Sequence, residues 1–179
     1  MQFILSIDRA VFFFFQGLQR PWLDYLLAWP TRLGETGILF PVLILLILIF
    51  DRKNAFRVIT GLAISLITVQ YASPALKAFF HRPRPHLFWE NVHVIFKKPI
   101  NDAFPSGHTA IIFAAAFILS HYYPKTRWWA YGVAVWVAIT RIYVGVHYPS
   151  DLIGGAFLGV AVGWGTCAFL NYYERVGSK

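Results

Sequence analysis

A chain of 179 residues that is 58% hydrophobic and only 13% charged is no ordinary soluble domain, in which roughly a quarter of the residues are charged. Its formal net charge of +8 would suggest nucleic acid in a soluble protein, but here the basic residues sit at the ends of long apolar blocks. That placement suits anionic headgroups or phosphates and argues against nucleic acid.

The apolar residues fall in blocks and not in the periodic stripe of a soluble helix, so the expected fold is all-α: a polytopic membrane helix bundle, one domain over residues 1–179. Residues 1–33 read as amphipathic interfacial helices. Gln2, Ser6, Arg9, Gln16 and Arg20 share one face, and Phe3, Ile4, Ile7, Val11, Phe14 and Phe15 cover much of the rest, as in a helix lying in the membrane plane. Pro21-Trp22-Leu23 opens a second short helix ending near Trp29-Pro30, with a sixth crossing as the alternative to a short tilted helix. No basic n-region or small-residue cleavage site precedes it, so no cleaved leader is expected.

The spanning bundle is placed at 34–171. Its five predicted spans are roughly 34–50, 58–80, 106–123, 127–146 and 151–171, giving five to six in all. Pro41 and Pro74 fall inside spans, where neighbouring helices can satisfy the freed carbonyls. Arg52, Lys53, Arg57, Lys125, Arg127 and Arg175 mark one side, which the positive-inside rule makes cytoplasmic. The other side is also basic, with Arg20, Arg32, Lys77, Arg82, Arg84, Lys97, Lys98 and Arg141. The assignment therefore rests on giving several of these cations to a functional site. Gly155, Gly159 and Gly163 recur every four residues, as for close helix packing. Cys167, alone in an apolar helix, reads as packing.

Three clusters carry chemistry, and the proposed topology brings them to one face: Lys77 through Pro85, Pro105-Ser106-Gly107-His108, and Thr140-Arg141 through His147 to Asp151. Charged residues near a membrane core are costly and hence functional candidates. Lys77, Arg84 and Arg141 supply cations and forked donors for a tetrahedral oxyanion. Ser106 and Gly107 open a helix whose free N–H groups suit an anion. Asp151, four residues after His147, can accept from one imidazole nitrogen and leave the other free to attack phosphorus. His108 is then available as general acid. Each has a plainer role alone: Lys77 a snorkelling anchor, Arg82-Pro83-Arg84-Pro85 a basic interfacial loop, Pro105-Ser106-Gly107 a helix start, His147 and Asp151 a capping pair. Their meeting at one face argues for a site.

These residues resemble the signature of the type 2 phosphatidic acid phosphatase superfamily, which shares its site with vanadium haloperoxidases and bacterial acid phosphatases. The signature is Lys-x6-Arg-Pro, Pro-Ser-Gly-His and Ser-Arg-x5-His-x3-Asp. The chain matches it at Lys77 to Arg84-Pro85, at Pro105 to His108, and at Thr140-Arg141 to His147 and Asp151, with Thr140 replacing the serine. The resemblance implies a haloperoxidase-like helical core. It implies His147 as the nucleophile that becomes a phosphohistidine, Asp151 orienting it, and His108 protonating the leaving group and later helping to activate water. Lys77, Arg84, Ser106, Gly107 and Arg141 would hold the phosphate oxygens. No cofactor and no metal are implied. His81, His86, His93 and His121 have no ligand spacing and read as loop or interfacial residues.

The expected function is thus a metal-independent phosphatase of a membrane lipid at the outer face of a bacterial inner membrane, with the bilayer and its lipid substrate as partners and no obligate protein partner. The candidates are undecaprenyl diphosphate first, then the 1-phosphate of lipid A, phosphatidylglycerol phosphate and phosphatidic acid. Arg82, Lys97 and Lys98 are possible headgroup contacts for a second phosphate, with a solvated loop as the alternative for the lysine pair. A catalytically dead headgroup-binding protein is the other class, against which no member of the catalytic set is missing.

Overall fold

Prolines, glycines and capping side chains cut the apolar blocks into helices, built in a computed structural model that describes residues 2–96 and 98–177. Among the described residues there are eight α-helices and no strand. They are α1 (Gln2–Gly17), α2 (Pro21–Leu27), α3 (Thr36–Phe50), α4 (Ala55–Phe80), α5 (Pro85–Phe88), α6 (Gly107–Tyr122), α7 (Arg127–Tyr143) and α8 (Pro149–Gly177), with a 3-10 turn at Trp29–Gly34 between α2 and α3. Pro21 and Pro85 each stand at the first helical position, where the missing N–H costs nothing. Ser106 caps α6 by accepting from the Thr109 amide.

Helix α6 forms the centre, with α4, α7 and α8 around it. Ala110, Ala114, Ala115 and Ile118 of α6 share one buried core with Val58, Leu62, Leu66 and Val69 of α4. The predicted glycine stripe of α8 does what its spacing implies. A Cβ on Gly155 or Gly159 would run into the carbonyls of Ser106 or Ala110, and one on Gly163 into Phe117, so α8 lies closer to α6 than any side chain would allow. Outside this core, large apolar side chains such as Phe50, Phe56, Trp128, Trp129 and Phe157 are exposed, as expected of a lipid-facing surface.

All five predicted blocks are helical, but they differ in reach. Among the described residues two helices are long and apolar enough to cross a membrane, one running through α4 and one being α8; a third crossing arises if Pro21–Gly34 and Thr36–Phe50, bent by 80°, count as one broken span. The others are shorter: α3 has 15 residues, α6 16 and α7 17. Sixteen residues rise about 24 Å, less than the roughly 30 Å of a hydrocarbon core. The break is chemical, since Pro105 and Pro124 stop α6 short at either end.

The N-terminal helices form as expected, but α1 has an inner face that its polar and apolar stripes did not reveal. Phe12 and Asp8 are buried, while Ser6 and Arg9 are exposed. Gln16 and Gln19 donate to the Tyr143 carbonyl at 3.2 and 2.7 Å, satisfying the C-terminal end of α7. The side chains of Gln2, Phe3 and Ile4 lie outside the described ones.

Candidate active site

Three helix ends and one helix bend converge on a cavity of about 430 Å³ lined by Lys77, Arg84, Gly107, His108, Arg141 and His147, and by residues 34–37 and Asn101. Lys77 is in the last turn of α4, which stops at His81 in the left-handed conformation (φ 47°). The ammonium donates to the Asp102 and Ala103 carbonyls at 2.6 and 3.1 Å. Arg84, buried, donates through Nε to the Asn101 carbonyl and through Nη2 to Asn101 Oδ1, both at 2.6 Å. Its Nη1 donates to the Val146 carbonyl at 2.9 Å and faces His147 Nε2 at 3.2 Å.

That contact fixes the imidazole. A guanidinium can only donate, so Nε2 is the acceptor and the proton of neutral His147 sits on Nδ1. Nδ1 faces Asp151 Oδ2 at 3.3 Å. The same oxygen accepts the Tyr148 amide at 2.8 Å, a carboxylate at the third helical position reaching back to the residue before Pro149, as in a capping box. Burial, and then the Arg84 guanidinium, hold the His147 imidazole well below the usual histidine range. The site therefore presents an unprotonated Nε2 among cations.

His147 is aimed by a turn that composition alone did not flag. Gly145 has φ 85°, and a Cβ there would lie 2.7 Å from the His93 carbonyl. Only glycine takes both the backbone angle and the close approach without strain. On the opposite wall, Gly34 of the 3-10 turn packs flat on His108, where a Cβ would meet the His108 Cβ at 2.8 Å. Thr31 of the same turn accepts from Arg141 Nη1 at 2.5 Å, while the buried Arg141 Nε has no hydrogen-bond partner among the described residues. Glu35 and Thr36 complete that wall. None of Thr31, Gly34, Glu35 or Gly145 was singled out from the sequence. The positive-φ glycine, four residues after Arg141 and two before His147, is a signal that could have been read.

Ser106, Thr140 and Arg82 are engaged away from the cavity. Ser106 is fully buried and does not line the cavity: its amide donates to the Asp151 carbonyl at 3.0 Å and its hydroxyl accepts from Thr109. Its work here is to cap α6 and hold α8, while Gly107 faces the cavity. Thr140 donates to Val137 of its own helix at 2.6 Å, so its hydroxyl is not directed to the site. Arg82, expected at the headgroup, is bound to two carboxylates, donating from Nη1 to Asp151 Oδ1 at 2.5 Å and from Nη2 to Asp8 Oδ2 at 2.6 Å. Lys98 is exposed next to Pro99 at the cavity rim; Lys97 lies outside the described residues.

The PAP2 superfamily model matches residues 54–175. The chain belongs to the PAP2 superfamily. It is 28% identical over 174 residues to a lipid A 4'-phosphatase of Bacteroides thetaiotaomicron, covering 92% of this chain and 77% of that protein. It is 34% identical over 139 residues to an undecaprenyl-diphosphatase of Sulfolobus acidocaldarius, covering 76% and 66%. Among solved structures it is similar to Aquifex aeolicus LpxE, with a TM-score of 0.72 at 30% identity, covering 89% of this chain and 93% of that one. Matches to the curated relatives span from 24% to 80% of their lengths, and 53% of the bacitracin transport permease protein BcrC of Bacillus licheniformis. The PAP2 fold and the membrane-protein class expected from the sequence stand on these likenesses and on the apolar helices.

Proposed function

We propose that this chain hydrolyses a lipid phosphate or diphosphate through a phosphohistidine at His147. The observation that carries the reading is the unprotonated Nε2 of His147 at the wall of a cavity lined by Lys77, Arg84 and Arg141, with Asp151 on its other nitrogen. Nε2 attacks phosphorus and the phosphorus–oxygen bond to the lipid breaks. The leaving oxygen takes a proton from His108, which lines the same cavity. Water then attacks the phosphohistidine, His108 accepts its proton, the phosphorus–nitrogen bond breaks, and inorganic phosphate leaves with His147 restored. The cations and the first amides of α6 offset charge on the equatorial oxygens as it develops. On this reading no metal takes part.

On this reading the bundle crosses the membrane five to six times, the bilayer thinning locally to meet the shorter α3, α6 and α7, with the site at the outer face of a bacterial inner membrane. Undecaprenyl diphosphate is the first substrate choice, supported by the relative named for it and by Lys98 at the rim, with Lys97 beside it in sequence. A lipid A phosphatase is the second reading, supported by the lipid A 4'-phosphatase and LpxE likenesses. Purified protein in detergent should release phosphate from a panel of undecaprenyl diphosphate, lipid A, phosphatidylglycerol phosphate and phosphatidic acid, in excess EDTA. His147→Ala should lower the rate by about a thousandfold or more while the protein stays folded. Turnover by His147→Ala, or activity that EDTA abolishes and a divalent metal restores, would contradict the mechanism.

A further inference from the structure

Asp8 is 3% exposed in a helix that lies outside the family's three signature segments. A buried carboxylate is costly unless its oxygens are fully engaged, and here they are. Oδ1 accepts the Ser150 amide at 2.9 Å. Oδ2 accepts the Ser150 hydroxyl at 2.5 Å and Arg82 Nη2 at 2.6 Å. The other arm of the same guanidinium, Nη1, donates to Ser150 Oγ and to Asp151 Oδ1, both at 2.5 Å. One arginine thus bridges two buried carboxylates, and the second of them holds the nucleophile.

We infer that Asp8 is a positioning residue for the hydrolytic site, acting through Arg82 and Ser150 on Asp151 and so on His147. The inference rests on the phosphatase reading above. The logic is one of charge and geometry together. Asp151 offers Oδ2 to His147 and Oδ1 to Arg82. With Asp8 present, Arg82 is shared and Asp151 keeps enough negative charge to polarise the Nδ1–H. Without Asp8, Arg82 neutralises Asp151 alone, the hold on Nδ1–H weakens and Nε2 becomes a poorer nucleophile. Asp8 also fixes the first turn of α8 through the Ser150 amide, and with it the position of Asp151. Helix α1 thereby becomes part of the site without touching substrate.

The test is Asp8→Asn, with kcat, KM, the pH profile and thermal unfolding measured on the folded fraction in detergent. The groups facing His147 are Asp151 from α8, Arg82 and Arg84 from the segment after α4, Lys77 from α4, Arg141 from α7 and His108 from α6. Removing one negative charge from behind that set favours the neutral imidazole. Asp8→Asn should therefore lower kcat about tenfold with KM within about twofold, and move the acid limb to lower pH by about half a unit. Asp8→Glu, which keeps the charge, should leave the limb in place. Loss of thermal stability with kcat and the acid limb unchanged would make Asp8 only an anchor for α1 and overturn the inference, as would a raised KM at unchanged kcat. If Asp8→Asn does not fold, Ser150→Ala removes only the hydroxyl link: a fall in kcat of about threefold at constant KM supports the inference, and an unchanged kcat overturns it. A wild-type protein that releases no phosphate would overturn the phosphatase reading itself. An active wild type matched by Asp8→Asn would overturn the tether alone.

Discussion

At His147 a single contact decides the chemistry. Arg84 can only donate, so it selects the tautomer that leaves Nε2 unprotonated, and burial with that neighbouring charge keeps the ring neutral. The sign for activity follows. On the proposed mechanism, a depressed imidazole pKa means that the nucleophile stays unprotonated below the ordinary value of about 6.5, so acid inactivation sets in at lower pH than for a free histidine. The acid limb of kcat/KM, corrected for the substrate's own ionisation, should lie clearly below that value. A limb at or above it would show that Nε2 is not held as described. Ser106 and Arg82 both have the right chemistry for phosphate, but in this structure the serine hydroxyl accepts from Thr109 as a helix cap and the arginine fork binds two carboxylates.

Among the helices, the tightest constraint is the approach of α8 to α6, because it sets the distance between the Asp151 end of one and the His108 end of the other. Gly159→Ala places a methyl group against the Ala110 carbonyl and should cost about 1–3 kcal/mol, read as a lower unfolding temperature in detergent. Gly165→Ala, on the same helix where nothing lies within 4 Å of an added Cβ, should be neutral or stabilising by up to about 1 kcal/mol. Equal effects at both positions would mean that the glycine stripe does not set the packing. The stripe was legible in the sequence because its period of four is local. So were the five helical blocks and the three charged clusters, each a pattern over a few residues. What was not legible depends on contacts distant in sequence: Asp8 against Arg82 and Ser150, Thr31 against Arg141, Gly34 against His108. The short reach of α3, α6 and α7 has another reason: the expected spans 34–50, 106–123 and 127–146 are already near the lower limit for a crossing, and α7 stops at Tyr143, just before the Gly145 turn.

Taken as a body, the molecule has two chemically different ends. The cavity with its cations, Asn101 and the Asp8–Arg82–Asp151 network lies at one. At the other, Tyr123 donates to Asp51 at 3.0 Å and Arg57 pairs with Glu174 at 2.6 Å, tying together the end of α3, the start of α4 and the ends of α6 and α8. Arg52, Lys53, Lys125 and Arg127 flank these contacts, and they are the basic residues that the positive-inside rule counts at this end. At the other end Lys77, Arg84 and Arg141 line the cavity and Arg82 is held between Asp8 and Asp151, so these four do not count toward orientation in the same way, while Arg20, Arg32 and Lys98 stay exposed there. The site should then face away from the cytoplasm. With buried Cys167 first replaced by Ala, Ile100→Cys, at a position 98% exposed beside the cavity, should be labelled by a membrane-impermeant thiol reagent in intact spheroplasts. Lys53→Cys, at the opposite end, should be labelled only after lysis. The reverse pattern would turn the molecule over, and would place its lipid phosphate in the inner leaflet.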